Sequence, residues 1–541
     1  MNRRFVRPVT LVGLALVIGL SAQAGGGAGL VGAQAPPPTS VSSFPPDTNT
    51  YVRAPVAEDY GTTSAARAGA QIFSSPPPSP IGGLLRNLVV SNTNRELRGS
   101  DDRGDGEPSI AVNPANPNEI VITAFSGNWA GGANAPFWHS LDGGNTWTKR
   151  FNFPIPPGQL QTCPCDQTID FGRGGRMSAT FLAVSPPAGP PNLLNVISGT
   201  TSNPANPAGF QYFLVGGNAQ FTNQAVVNNV DQPWLLVNRD NAVAAQDNVY
   251  VAYDDFTGGP DMRVAVAKGT NPPNFVVDAK SGVSTGFVNP GHRLAADPRN
   301  GTMYSLFQRR IAAGASGSQN IDFMLNRSTD GGVTWTLNGN PNGIAVANAD
   351  STQPTTKFGT VNALLGGVLH AAVDPNNGDV YYIHGSRDAV TGANRLRVVR
   401  LVTDGGGTMT VASASFLTGQ VQAALPSIAV AANGVIGVLY DTFDGLSPLE
   451  GWPRFSIHFA QSADQGLTWS DGVLYSFLSP AKDNGDPRQR VLGDYQQVKA
   501  VGNTFFGTFT GNGFAFGRSI SNPDPIFFNL PATGSVPRRE R

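Results

Sequence analysis

The sequence predicts an all-β chain folded as a β-propeller of seven four-stranded blades, its ring closed by an N-terminal strand. Three observations carry that expectation. The 541 residues hold 65 Gly and 43 Pro with only 13% charged residues, a usage that favours turns and short strands, and no long amphipathic helical pattern is evident. A strand, turn and strand pattern recurs about every 60 residues. An eight-residue phrase then recurs at a fixed place inside that pattern.

Each unit opens with an apolar strand, passes an Asp-Pro or Asn-Gly turn, and continues into a β-branched or aromatic strand. The clearest copies are Ser109 to Thr123 (SIAVNPANPNEIVIT), Arg293 to Leu306 (RLAADPRNGTMYSL), His370 to Ile383 (HAAVDPNNGDVYYI) and Ser427 to Leu439 (SIAVAANGVIGVL). Taking Glu107, Asp166, Asp231, His292, His370, Pro426 and Asp494 as starts gives seven units, the longest running 78 residues from His292 to His370. Six or eight blades result if the unit at Asp166 or the long unit is divided differently. The last unit has 47 residues after Asp494, too few for a full blade and a tail. Leu84 to Ser91 (LLRNLVVS) is the candidate strand to complete it and remove the open sheet edges.

The eight-residue phrase reads Ser-x-Asp-x-Gly-x-Thr-Trp and occurs at Ser140 to Trp147 (SLDGGNTW), Ser328 to Trp335 (STDGGVTW) and Ser462 to Trp469 (SADQGLTW). A decayed copy from Val402 to Met409 keeps Asp404, Gly406 and Thr408. The box Asp follows its unit start by 34 to 38 residues in all four cases, so one box belongs to one unit. The phrase suits a hairpin. Its Asp accepts from backbone N–H groups of its own turn, Gly supplies a positive φ, and Trp packs between sheets. Asp142, Trp147, Asp330, Trp335, Asp404, Asp464 and Trp469 are therefore read as structural.

The phrase resembles the Asp-box (BNR) repeat of the sialidase-like β-propellers, and the resemblance covers roughly Glu107 to Ser519. Sialidases usually have six blades, so seven is a departure. The resemblance implies that three arginines bind a sugar carboxylate, a Tyr activated by a Glu attacks the anomeric carbon, and an Asp protonates the leaving group. The family's Arg-Ile-Pro motif is absent from this chain. By position, the catalytic candidates are Tyr495, Glu107 and Asp231, and the substrate-binding candidates are Arg176, Arg293, Arg490, His292, His370, Asp166 and Asp494. These residues stand near the unit starts, which a propeller gathers around one mouth of its channel. The expected function is recognition, and hydrolysis if the chemistry is complete, of an extracellular carbohydrate or cell-surface glycoconjugate. A noncatalytic binding or scaffold propeller is the alternative.

The formal net charge is -1 and no basic block interleaved with aromatics occurs, so neither nucleic acid nor an anionic membrane is an expected partner, and a monomer is expected. Arg3, Arg4 and Arg7, the apolar run from Val9 to Leu20, and Ala22-Gln23-Ala24 have the layout of a secretory signal. The run is too short to span a bilayer, which takes about 20 residues. The expected organisation is a signal peptide over 1–24, a Pro/Ser/Ala-rich tether over 25–82, a propeller over 83–530 and a basic tail over 531–541. Leu530 to Gly534 (LPATG) matches a wall-sorting pentapeptide but lacks the apolar segment that follows such signals. Cys163 and Cys165 form a strained local bridge or remain thiols. No cofactor is expected; Asp101, Asp102, Asp105 and Glu107 make an acidic loop with oxygen ligands suited to Ca²⁺ but without EF-hand spacing.

Overall fold

The computed structural model describes residues 83–93, 105–126, 135–153, 160–185, 193–214, 230–256, 261–269, 273, 275–284, 291–314, 318–351, 357–364, 367–388, 390–417, 420, 422–448, 451–485, 489–517 and 523–534. The leader, the tether, Asp101, Asp102, the basic tail from 535 on and the Cys163 and Cys165 side chains lie outside what is described.

Seven four-stranded antiparallel sheets follow one another along the chain. Their first strands are Asp105–Val112, Leu160–Phe171, Val230–Arg239, Arg293–Ala296, Leu369–Val373, Ala423–Val430 and Gln497–Val501. Each first strand touches that of the next blade, and the seventh touches the first, so these strands form the inner ring of a closed seven-bladed propeller. The seventh sheet takes its outermost strand, Leu84–Asn87, from the N-terminal side, paired with Pro523–Pro531 in the register Leu84 to Asn529. The blade number and the closing strand agree with the sequence. The long unit is explained by an inserted hairpin, Lys357–Phe358 with Asn362–Ala363, between blades 4 and 5.

The three intact boxes fold into one turn between the third and fourth strands of blades 1, 4 and 6. Ser140, Ser328 and Ser462 donate from Oγ to the box Asp at 2.9, 2.8 and 2.8 Å. The N–H of Thr146, Thr334 and Thr468 donates to the same carboxylate at 2.9 Å in each. These donors hold Asp142, Asp330 and Asp464 below the usual carboxylate range even though burial opposes them. Each Trp then wedges against the preceding blade. Trp147 meets Phe527 of blade 7, Trp335 packs with Tyr250 and Val266 of blade 3, and Trp469 donates from Nε1 to Ser415 of blade 5. In the decayed copy Met409 takes the Trp place, buried and held by Asn338 of blade 4.

Inside the ring, side chains of one inner strand accept backbone N–H groups of the next. Ser109 Oγ accepts from Ile169, Thr168 Oγ1 from Leu235, His370 Nδ1 from Ile428, Ser427 Oγ from Val498 and Gln497 Oε1 from Ile110, at 2.8 to 3.1 Å. Trp234 and Arg293 occupy the corresponding places of blades 3 and 4. There the Arg293 guanidinium lies over the Trp234 ring at 4.4 Å.

Candidate functional site

The site is built by distortion at the starts of the inner strands. The ladder slips between Gly106 and Ser109, Cys165 and Thr168, Asp231 and Trp234, and Ala424 and Ser427. At the slips Glu107, Asp166, Gln232 and Leu425 hold φ of 50, 50, 47 and 53°. A bulge inserts an unpaired residue and re-aims its side chain, and a left-handed non-glycine residue is strained. In blades 1 and 2 these bulges present Glu107 and Asp166; in blades 3 and 6 the bulged residues are Gln232 and Leu425, and Asp231, just before Gln232, stays in the ladder opposite Asp254.

A loop of blade 7 brings the cation. Asn362, on the second strand of the inserted hairpin, accepts from the N–H groups of Leu492 and Gly493 and donates to the Gly493 carbonyl. Gly493 has φ of 86°, and a Cβ there would stand 2.2 Å from Glu107 Cγ, so only glycine lets this loop reach the carboxylates. Arg490 Nη1 donates to Asp494 Oδ2 at 2.5 Å and lies 3.4 Å from Glu107 Oε1. The Asp494 N–H donates to Glu107 Oε1 at 3.1 Å. Glu107, Asp166, Asp231, Asp494 and Arg490 are each at most 5% exposed.

Too many carboxyls share one guanidinium here for all to be charged. Burial, together with Asp494 and Asp166 and against Arg490, raises Glu107 well above its usual range. Burial and the Asp231 charge do the same to Asp166. Asp231 is raised to about 6 by burial, against the hydrogen bonding of Asp166 and the Gln232 N–H. Because the folded state holds the Asp231 proton more tightly than the unfolded chain, stability falls as pH rises from about 4 to about 6. Asp231→Asn should remove on the order of 3 kcal/mol of that fall. Urea midpoints measured across this pH range check it, and equal slopes in both proteins would refute it.

Of the remaining candidates, Tyr495 and Arg293 adjoin the cluster. Tyr495 donates to the Gln167 carbonyl at 3.1 Å, its phenol pushed well above the usual range by burial and by Glu107 and Asp166. Arg293 lies 5.6 Å from the Tyr495 ring centre and donates to the His292 carbonyl. His292 sits apart, its Nδ1 donating to the Tyr253 carbonyl while Nε2 meets Ser305 Oγ at 2.8 Å. Burial lowers it to about 3, so its 3.6 Å approach to Asp254 joins a neutral ring to a buried carboxyl and is no ion pair. His370 is the neutral acceptor in the inner hydrogen-bond belt, lowered to about 3 by burial. Arg176 is not brought to the cluster. It lies in the turn before Met177, beyond the end of the inner strand Leu160–Phe171 that carries Asp166.

Two carboxyls escaped sequence reasoning. Asp254 lies directly across the ladder from Asp231, fully buried, with neither oxygen hydrogen-bonded, and burial keeps it well above its usual range. Asp441 accepts from Gln496 Nε2 at 2.7 Å. The Asp254-Asp255 pair ending an apolar strand was the available signal for the first. Among the described residues no group of three or more His, Cys, Asp or Glu can hold a metal ion. None of the helices among them is long and apolar enough to cross a membrane. At the other end of the ring a cavity of about 430 Å³ is walled largely by Ala and Val, with Trp234, His370 and the Lys499–Asp170 ion pair.

No family model matches the chain, and a search of curated proteins found no similar sequence. Among solved structures the chain is similar to the GH93 α-L-arabinofuranosidase of Fusarium graminearum, at 10% identity over 80% of this chain and 95% of that one, with a TM-score of 0.38. It is similar to the α-L-arabinanase of Penicillium chrysogenum, at 10% identity over 81% and 96%, with a TM-score of 0.40. It is also similar to the BP39L lectin of Burkholderia pseudomallei, at 13% identity over 80% and 98%, with a TM-score of 0.41. Likeness at this level says nothing about activity. The chain's own topology and site define its class: a seven-bladed propeller with a buried carboxylate and arginine cluster at the starts of its inner strands.

Proposed function

We propose that this is an exported, sialidase-like propeller that recognises an extracellular glycan at the carboxylate end of its channel and hydrolyses it. The observation that carries the reading is the buried cluster in which Asp166 and Asp231 of neighbouring blades and Glu107 gather around Arg490, all three carboxyls pushed above their usual range by burial. Glycoside cleavage needs a carboxyl that keeps its proton and a second carboxylate. Asp166, raised well above its usual range, keeps its proton, and Asp231, raised only to about 6, is the carboxyl that ionises near neutral pH. Tyr495 is a wall of this site rather than its nucleophile, because its phenol is tied to Gln167 and hard to ionise.

The test is a panel of fluorogenic glycosides that includes the sialic-acid conjugate. Turnover that falls about 100-fold or more in Asp166→Asn and in Asp231→Asn, with KM little changed, supports hydrolysis by this pair. One observation favours the noncatalytic reading: Glu107, Asp166 and Asp231 are only 2, 5 and 2% exposed. Silence across the panel together with retention on a glycan array would establish that reading instead. N-terminal sequencing of the exported protein, expected to begin at Gly25, tests the leader.

A further inference from the structure

Blade 5 carries a pair of cations that no carboxylate among the described residues pairs with. Arg395 and Arg397 stand two apart on the strand Asn394–Thr403 and so share one face of the sheet. Phe416 is directly opposite Arg397 on the neighbouring strand Met409–Phe416. The two guanidinium groups lie over its ring, at 4.4 Å for Arg395 and 5.5 Å for Arg397, and the ring is 39% exposed.

Among the described residues neither guanidinium makes a hydrogen bond or an ion pair, and both Nε atoms are buried without a partner. Other arginines contrast with them. Arg173, Arg263, Arg299, Arg309 and Arg490 each pair with a carboxylate, and Arg400 on the same strand pairs with Asp379. Asp388 stands near Arg395, yet it turns Oδ1 to the N–H groups of Val390 and Thr391 and makes no ion pair.

The patch lies on the same side of the propeller as the carboxylate cluster. Asn394 donates to the Ala423 carbonyl, at the start of the sixth inner strand, and Gln420 clasps both backbone groups of Leu396. Stacking on one ring pre-orients two planar donor forks, a geometry suited to a carboxylate or sulfate group.

We propose that Arg395, Arg397 and Phe416 form a subsite for the anionic groups of an acidic polysaccharide, a deepening that rests on the glycan reading above. The experiment is affinity electrophoresis of the full chain through gels holding polygalacturonate, dextran sulfate or neutral dextran. The wild type should be retarded by an anionic polymer, less so as salt rises, and not by dextran. Retardation by polygalacturonate identifies a carboxylate ligand, and retardation by dextran sulfate alone a sulfate. The R395Q/R397Q variant should bind at least about tenfold more weakly at an unchanged melting temperature.

A folded double variant retarded like the wild type overturns the subsite. So does a wild type retarded by neither anionic polymer. In both cases turnover or array binding of neutral glycans would leave the glycan reading standing.

Discussion

Trp147→Ala will cost about 3 to 5 kcal/mol of stability, the range for emptying a large buried aromatic site. The ring is fully buried, packs 5.1 Å from Phe527, and donates from Nε1 to the Gly144 carbonyl at 3.0 Å. It also sits at the seam where the ring closes. The Trp147 carbonyl accepts from the Thr93 N–H, and Asn92 Oδ1 accepts from the Lys149 N–H, so the turn anchors the segment that follows the closing strand. The loss should therefore appear twice, as a lower urea midpoint and as faster amide exchange in 84–93 than in the inner strands. Trp335→Ala and Trp469→Ala should cost less, since those rings are 5 and 8% exposed. A Trp147→Ala protein with an unchanged midpoint would show that the box Trp does not hold blades together.

Arg490→Met is the second large effect, also about 3 to 5 kcal/mol at neutral pH, because it leaves buried carboxylates without their cation. Arg490 is 1% exposed and is the nearest positive charge to Glu107 and Asp494. The sign with pH separates this electrostatic loss from a packing defect. The carboxyls it faces already bind protons more tightly folded than unfolded, and removing Arg490 tightens them further. Stability then falls more steeply with rising pH, and the penalty shrinks toward pH 4, where the acids are neutral. Melting curves from about pH 4 to about pH 7.5 read it directly. A penalty that is the same at both ends would remove the charge cluster from the account.

The contrast between Arg490 and Arg176 shows how far a sequence reading reaches. Both are arginines close to a unit start, and nothing in their neighbours separates them. Arg490 enters the cluster because Asn362, far away in the chain, holds the Leu492-Gly493 backbone and because Gly493 has no side chain to meet Glu107. Arg176 lies beyond the far end of its strand. Asp254 was missed for a related reason, since it reaches the site only through its register opposite Asp231.

Local chemistry was enough for the rest. An Asp that accepts from its own turn, a Gly that takes positive φ and a Trp that follows are satisfied within eight residues, and the Ser109 and Ser427 strands repeat the same Ser-Ile-Ala-Val run. From such units the sequence by itself determined the blade, the number of blades and the strand that closes them. Which side chains meet at the channel mouth was decided only by the tertiary structure. A one-residue bulge reverses the face a strand presents, and the partners of Glu107 and Asp231 come from other blades and from an inserted hairpin, whose approach no local pattern encodes.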